Sequence, residues 1–201
     1  MKRFVQSILL LLTINIMIMA QEKEPKGFKV TREITIDVSS STLWNMIGPE
    51  FENAYVWASS VDHSVGGGTA EFEGATCRDR YCDVNAKGFS KISERLTIYS
   101  DEDMNLAYAV TDGMPGFITH AENNWTVVPL GENRSKLVMK ADFRLKGLMG
   151  SLMKGMMKSK MEKLLDTVLN DAKVYAETGQ VSDVKKERQE KLAKQQTKVA
   201  A

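Results

Sequence analysis

Hydrophobic and polar residues alternate along most of the chain and then recur at helical spacing near its end. Val30, Ile34, Ile36 and Val38 alternate with Lys29, Thr35 and Asp37, which is the pattern of a half-buried strand. Ser39-Ser40-Ser41-Thr42 then offers several N-cap oxygens for a short helix carrying Leu43, Trp44 and Ile47, and Gly48-Pro49 ends it. Further strands are expected near residues 56–65, 70–84, 89–100, 105–112, 117–129 and 135–145. Turn signals such as Gly66-Gly67-Gly68, Asn85-Ala86-Lys87-Gly88 and Gly131-Glu132-Asn133 separate them, as in an antiparallel meander.

After Lys146-Gly147 the period lengthens. Met149, Met153, Met157, Met161, Leu164, Val168, Ala172 and Tyr175 are expected on one broad helical face, and Gly179 is a natural terminator. A long amphipathic helix following a curved sheet has one obvious partner, the sheet's concave side. The fold class this predicts is α+β.

The two ends carry different signals from this domain. Lys2 and Arg3 precede an apolar run from Phe4 to Met19, and the chain turns polar at Gln21, so residues 1–20 are expected to be a signal peptide cleaved after Ala20. An uncleaved N-terminal anchor is the alternative. Export would place the protein in the periplasm or outside the cell. Residues 180–201 are basic and poor in apolar side chains, and are expected as a frayed helix or a solvated, flexible tail. Between the two, residues 28–179 make one domain. Loss of Lys2 and Arg3 turns 27 basic against 26 acidic residues into 25 against 26. Such a neutral balance argues against a nucleic-acid partner.

From Lys29 to Gly179 the chain resembles the START-like superfamily, specifically the bacterial SRPBCC group of polyketide cyclase/dehydrase and lipid-transport proteins. The residues that carry the resemblance are Ser40-Ser41-Thr42-Leu43-Trp44 after the first strand, Trp57 after the short helices, and the Gly66-Gly67-Gly68 turn. Further along they are Ser93-Glu94-Arg95-Leu96, Pro115 before a strand bearing Trp125 and Pro129, and the ending Ala172-Lys173-Val174-Tyr175-Ala176-Glu177-Thr178-Gly179. The resemblance implies a helix-grip (START/Bet v 1-like) fold, in which a seven-stranded sheet wraps the C-terminal helix around a cavity. It implies no one chemistry, because fold alone does not fix function.

The only two cysteines lie in the stretch Thr76-Cys77-Arg78-Asp79-Arg80-Tyr81-Cys82. On one straight strand, positions five apart are separated by about 16 Å, whereas a disulfide needs a Cα separation of roughly 4.4–6.8 Å. Their odd spacing also points them to opposite faces, so a shared metal ion is excluded too. Neither His63 nor His120 stands at ligand spacing to a cysteine, and no metal or other cofactor is implied.

The arginines carry more information. A type I turn with a glycine bulge at Asn85-Ala86-Lys87-Gly88 would pair Asn85 with Phe89, and so place Cys82 opposite Ile92, Arg80 opposite Glu94 and Arg78 opposite Leu96. Val84 and Ile98 would share that face, the wall of the cavity. Arg80 and Glu94 are then either a structural ion pair closing the pocket or the groups that orient a ligand's polar head. The pair lacks a nucleophile, and Arg80 opposes the raised pKa that Glu94 would need as a general base.

Alternation adds Trp57, Tyr108 and Trp125 to the inward face, as core or as pocket wall, with Thr119 and Asn123 sharing the parity of Trp125. An inward Asn123 would require a partner. His120, of the other parity, is expected outside. Met153 and Met157 are expected to close the cavity from the helix, where flexible thioethers suit ligands of variable shape. Gly66-Gly67-Gly68 lies between strands and not at a helix start, so it is no phosphate loop, and no serine sits in a nucleophile elbow.

The function expected is non-enzymatic binding or carriage of a small hydrophobic or amphipathic molecule, lipid or polyketide-like, with no catalytic residue. One alternative is a cyclase, dehydratase or isomerase using Glu94 with Tyr108 or Asn123. Another is an interaction module whose basic tail and helix touch a membrane surface or a protein.

Overall fold

The computed structural model describes residues 26–86 and 89–199. The expected signal segment, residues 1–20, lies outside them. Seven strands, β1 (Gly27–Ile36), β2 (Val61–Gly67), β3 (Asp79–Ala86), β4 (Phe89–Ser100), β5 (Asn105–Asp112), β6 (Ile118–Gly131) and β7 (Arg134–Leu145), form one antiparallel sheet in the order β1-β7-β6-β5-β4-β3-β2. Helix α1 (Ser40–Ile47) and a 3-10 turn (Phe51–Val56) connect β1 to β2, which lie at opposite edges. The Ser39 hydroxyl caps α1 by accepting from the Thr42 amide at 3.1 Å.

The long helix α2 (Gly147–Thr178) crosses the curved sheet against β1 and β7 and ends at Gly179, whose φ of +70° suits glycine. Its buried seam differs from the expected stripe. Leu165, Val168, Leu169 and Ala172 are buried, whereas Leu164 and Met149 are exposed. Steps of four residues drift around a helix with 3.6 residues per turn. The seam that stays on the sheet therefore mixes steps of three and four. The first turn of α2 touches the end of β7 through Gly150, buried beside Leu145, while Leu148 and Leu152 are exposed.

Two expected strands are shorter than their patterns. Residues 56–60 belong to the 3-10 turn and its exit, with Trp57 as the turn's C-cap. Residues 70–78 form a loop that contains Gly74 at φ +82° and lays Phe72 and Ala75 on the core. Cys77 is therefore off the strand that carries Cys82. Both thiols are free and buried.

Of the two forms expected for the tail the structure has the helix, α3 (Asp183–Val199). Its entry is anchored, because Ser182 and Lys185 are buried while most of the later side chains are exposed. Lys185 Nζ donates to the carbonyls of Ala58 at 3.1 Å and Val61 at 2.7 Å. Ser182 Oγ donates to Asp171 of α2, whose other oxygen accepts from the Ser59 amide at 2.8 Å. Burial lowers the Lys185 pKa, and Asp62 and Asp171 oppose that shift. A buried ammonium with such partners was invisible in a sequence where Lys185 is one lysine in a polar run.

Candidate functional site: a cavity between sheet and helix

The strands around the Arg80–Glu94 pair enclose a cavity of about 180 Å³ against α2. The β3–β4 register is the expected one through the site. Arg80 faces Glu94 and Cys82 faces Ile92, and the shift comes only nearer the turn, where Ala86 pairs with Phe89. A further shift between Leu96 and Ile98 turns Ile98 outward and Tyr99 inward, contrary to the simple alternation.

Arg80 and Glu94 are buried, 6% and 5% exposed. Arg80 donates from Nε to Glu94 Oε2 at 2.7 Å and from Nη1 to the Phe51 carbonyl at 2.7 Å. Its guanidinium carbon lies 4.0 Å from the centre of the Phe51 ring and 4.9 Å from that of Tyr108. Burial opposes the guanidinium charge, but Glu94 overrides it and the Arg80 pKa is raised. Burial pushes the Tyr108 hydroxyl upward, and it pushes the Cys82 thiol up to about 12 despite Arg80 nearby. All three groups therefore keep their protons at neutral pH.

Beyond the pair the wall is aromatic. Tyr108, Trp125 and Trp57 line the cavity and, with Phe51 of the core beside Tyr108, form a chain Phe51–Tyr108–Trp125–Trp57 with successive ring centroids 5.4, 6.4 and 6.0 Å apart. Asn123 and Trp125 stand two apart on β6 and both line the cavity. Asn123 Oδ1 and Trp125 Nε1 are buried without a hydrogen-bond partner among the described residues. Native proteins rarely leave such atoms unmatched.

The cavity thus brings together six expected residues: Trp57, Arg80, Glu94, Tyr108, Asn123 and Trp125. Met153 and Met157 do not line it. Met157 packs on the core edge, and the helix wall is Met161, Leu164, Leu165 and Val168, one to three turns further on. Apart from Gly150, the buried residues of α2 begin only at Leu165, and the first methionines lie off the cavity. Thr119 is exposed, since a shift between Ile118 and His120 breaks the parity of β6, and His120 is half-buried rather than outside. Met139 and Phe143 of β7 were missed as wall residues. The period-two run Leu137, Met139, Ala141 and Phe143 was the available signal. Among the described residues no group of His, Cys, Asp and Glu could hold a metal ion, and no helix is long and apolar enough to cross a membrane.

Residues 27–177 match the family model described as polyketide cyclase / dehydrase and lipid transport. The chain belongs to this family. No curated protein matches the sequence significantly. Solved structures with the same fold include a START superfamily protein from Mycobacterium smegmatis, at 17% identity over 73% of this chain and 97% of that one, with a TM-score of 0.57. The ZhuI aromatase/cyclase from Streptomyces sp. R1128 aligns at 13% identity over 78% of this chain and 100% of its own, with a TM-score of 0.62. Norcoclaurine synthase from Thalictrum flavum, solved with dopamine and hydroxybenzaldehyde, aligns at 11% identity over 77% and 89%, with a TM-score of 0.59. These likenesses show the helix-grip fold that the family shares. Helix α3 lies beyond the family match.

Proposed function

We propose that the protein binds and carries a small amphipathic molecule in this cavity without transforming it. The observation that carries the reading is the unmatched pair on β6. Asn123 Oδ1 is an acceptor and Trp125 Nε1 a donor, both buried and unpartnered among the described residues, on two residues of an otherwise largely apolar wall. A ligand hydroxyl can match either, since it donates to an amide oxygen and accepts from an indole N–H. An apolar pocket with few convergent polar groups uses them for orientation. Glu94 is already engaged by Arg80 and by the Cys82 thiol at 3.4 Å, and none of these groups is an activated nucleophile. The cyclase and synthase neighbours keep the enzymatic alternative open to assay, with Glu94 and Tyr108 as its acid-base candidates.

The test is binding of the neutral apolar fluorophore N-phenyl-1-naphthylamine to the native protein, and its exclusion by Met161→Trp in the helix wall. Binding that survives the tryptophan, or that arises only on partial unfolding, would sink the reading. Native mass spectrometry of protein from its own source would then identify the cargo. Export goes with carriage in this proposal, and an intact Met1 on a soluble cytosolic protein would refute it.

A second reading, contact with a membrane surface, is favoured by the first turns of α2. There Leu148 and Leu152 are 86% and 77% exposed, Met149 and Met156 are also exposed, and Lys146, Lys154 and Lys158 flank them. Co-sedimentation with anionic vesicles should be lost in Leu148→Ser/Leu152→Ser. Unchanged binding would exclude this surface.

A further inference from the structure

An open cleft of about 470 Å³ adjoins the cavity where α2 meets α3, and the two share Ser60, Asn85 and Leu164 in their walls. The two spaces are therefore immediate neighbours. The charged residues of the cleft are Lys160 and Lys163 of α2 and Glu187, Arg188 and Lys191 of α3. Arg188 is committed to Asp62, with Nε 2.8 Å from Oδ1, and Lys191 lies 3.9 Å from Glu187. Lys160 and Lys163 have no carboxylate at ion-pairing distance among the described residues, so the cleft keeps two uncompensated positive charges.

The anchoring of α3 bears directly on this site. Lys185 is bonded to the carbonyls of Ala58 and Val61, which flank Ser59 and Ser60 in the cleft wall. Lys185 thereby fixes the side of α3 that carries Arg188 and Lys191 over the cleft. A polar, highly charged helix of 17 residues has little reason to hold its shape without such docking.

We propose that the cleft binds the anionic head group, a carboxylate, sulfonate or phosphate, of an amphiphile whose apolar body fills the cavity. Helix α3, outside the family match, completes the site. The inference rests on the carriage reading and names the class of cargo. Exposed lysines attract anions weakly and in a salt-dependent way, so the apolar body supplies affinity and the cleft selects the charge.

The test uses two probes that differ by the anion alone, N-phenyl-1-naphthylamine and 8-anilino-1-naphthalenesulfonate, at low ionic strength. Lys160→Gln/Lys163→Gln in the full chain should weaken the sulfonate by about five- to tenfold and leave the neutral probe within about twofold. The matched loss of charge at Lys154→Gln/Lys158→Gln, outside the cleft, should move neither. Equal weakening of both probes, or of neither, overturns the proposal. So does undiminished sulfonate binding by Met161→Trp, whose filled cavity has no room for the apolar body; that result would mean a free-anion site. Failure of the neutral probe to bind the unaltered protein would instead sink the carriage reading, so the two failures are distinguishable.

Discussion

Arg80 and Glu94 face each other across the β3–β4 hairpin, with both Nε and Nη2 of the arginine 2.7 Å from one carboxylate oxygen, Oε2. Both side chains are buried, so neither charge has water to fall back on. Breaking one side of such a pair strands the other. Arg80→Ala is expected to cost about 3–5 kcal/mol, while Arg80→Met/Glu94→Leu should recover much of that loss. Urea denaturation of the two single variants and the double would check it, and additive losses would mean the charges are not coupled.

The unmatched atoms of β6 set stability against binding. Asn123→Leu replaces a buried, unpartnered carbonyl by an apolar side chain of similar size, so the ligand-free protein should gain about 1 kcal/mol or more. The same change removes a ligand contact. Thermal melting and binding of a hydroxylated naphthalene such as 1-naphthol should move in opposite directions, and a loss of both would show that Asn123 is structural.

Asp79 gives the fold an acid-sensitive ion pair. A hydrogen bond from Arg95, with Nε 2.7 Å from Oδ1, lowers the Asp79 pKa and outweighs the opposing effect of burial, and Arg78 adds to it. A carboxyl whose folded pKa lies below its unfolded value of about 3.9 stabilises fully above that unfolded value and loses the contribution as pH falls through the folded one. The stability gap between the unaltered protein and Asp79→Asn should therefore hold from neutral pH to about 5 and close progressively below about 4. Urea midpoints across that range test the sign. A gap that widens on acidification would contradict it.

The cysteines make a chemical prediction. Both are free and buried, and burial pushes the Cys82 thiol up to about 12, so its reactive thiolate is scarce. Iodoacetamide at pH 8 should label Cys82 in the folded protein at least about a hundredfold more slowly than an unfolded thiol of pKa near 8.5. Intact mass should not change on reduction. Prompt labelling of Cys82 in the native state would place it near solvent.

The sequence by itself determined the α+β class, the meander and the long terminal helix, because those depend on periodicities that each segment carries alone. It also determined the Arg80–Glu94 and Cys82–Ile92 pairs, although the shift between Asp83 and Ala86 makes the turn itself one residue different from the expected one, and strand alternation placed Tyr108, Asn123 and Trp125 on the wall. Only the tertiary structure decided what depends on distant partners. The loop at residues 70–78 replaced a strand because its apolar residues reach the core without pairing, and the shifts at Leu96/Ile98 and Ile118/His120 turned Ile98 and Thr119 outward. The helix wall moved from Met153 and Met157 to Met161 and Leu165 because, apart from Gly150, the buried seam of α2 begins only at Leu165. Lys185 became a buried anchor, and α3 a docked helix, because carbonyls more than a hundred residues earlier in the chain receive its ammonium.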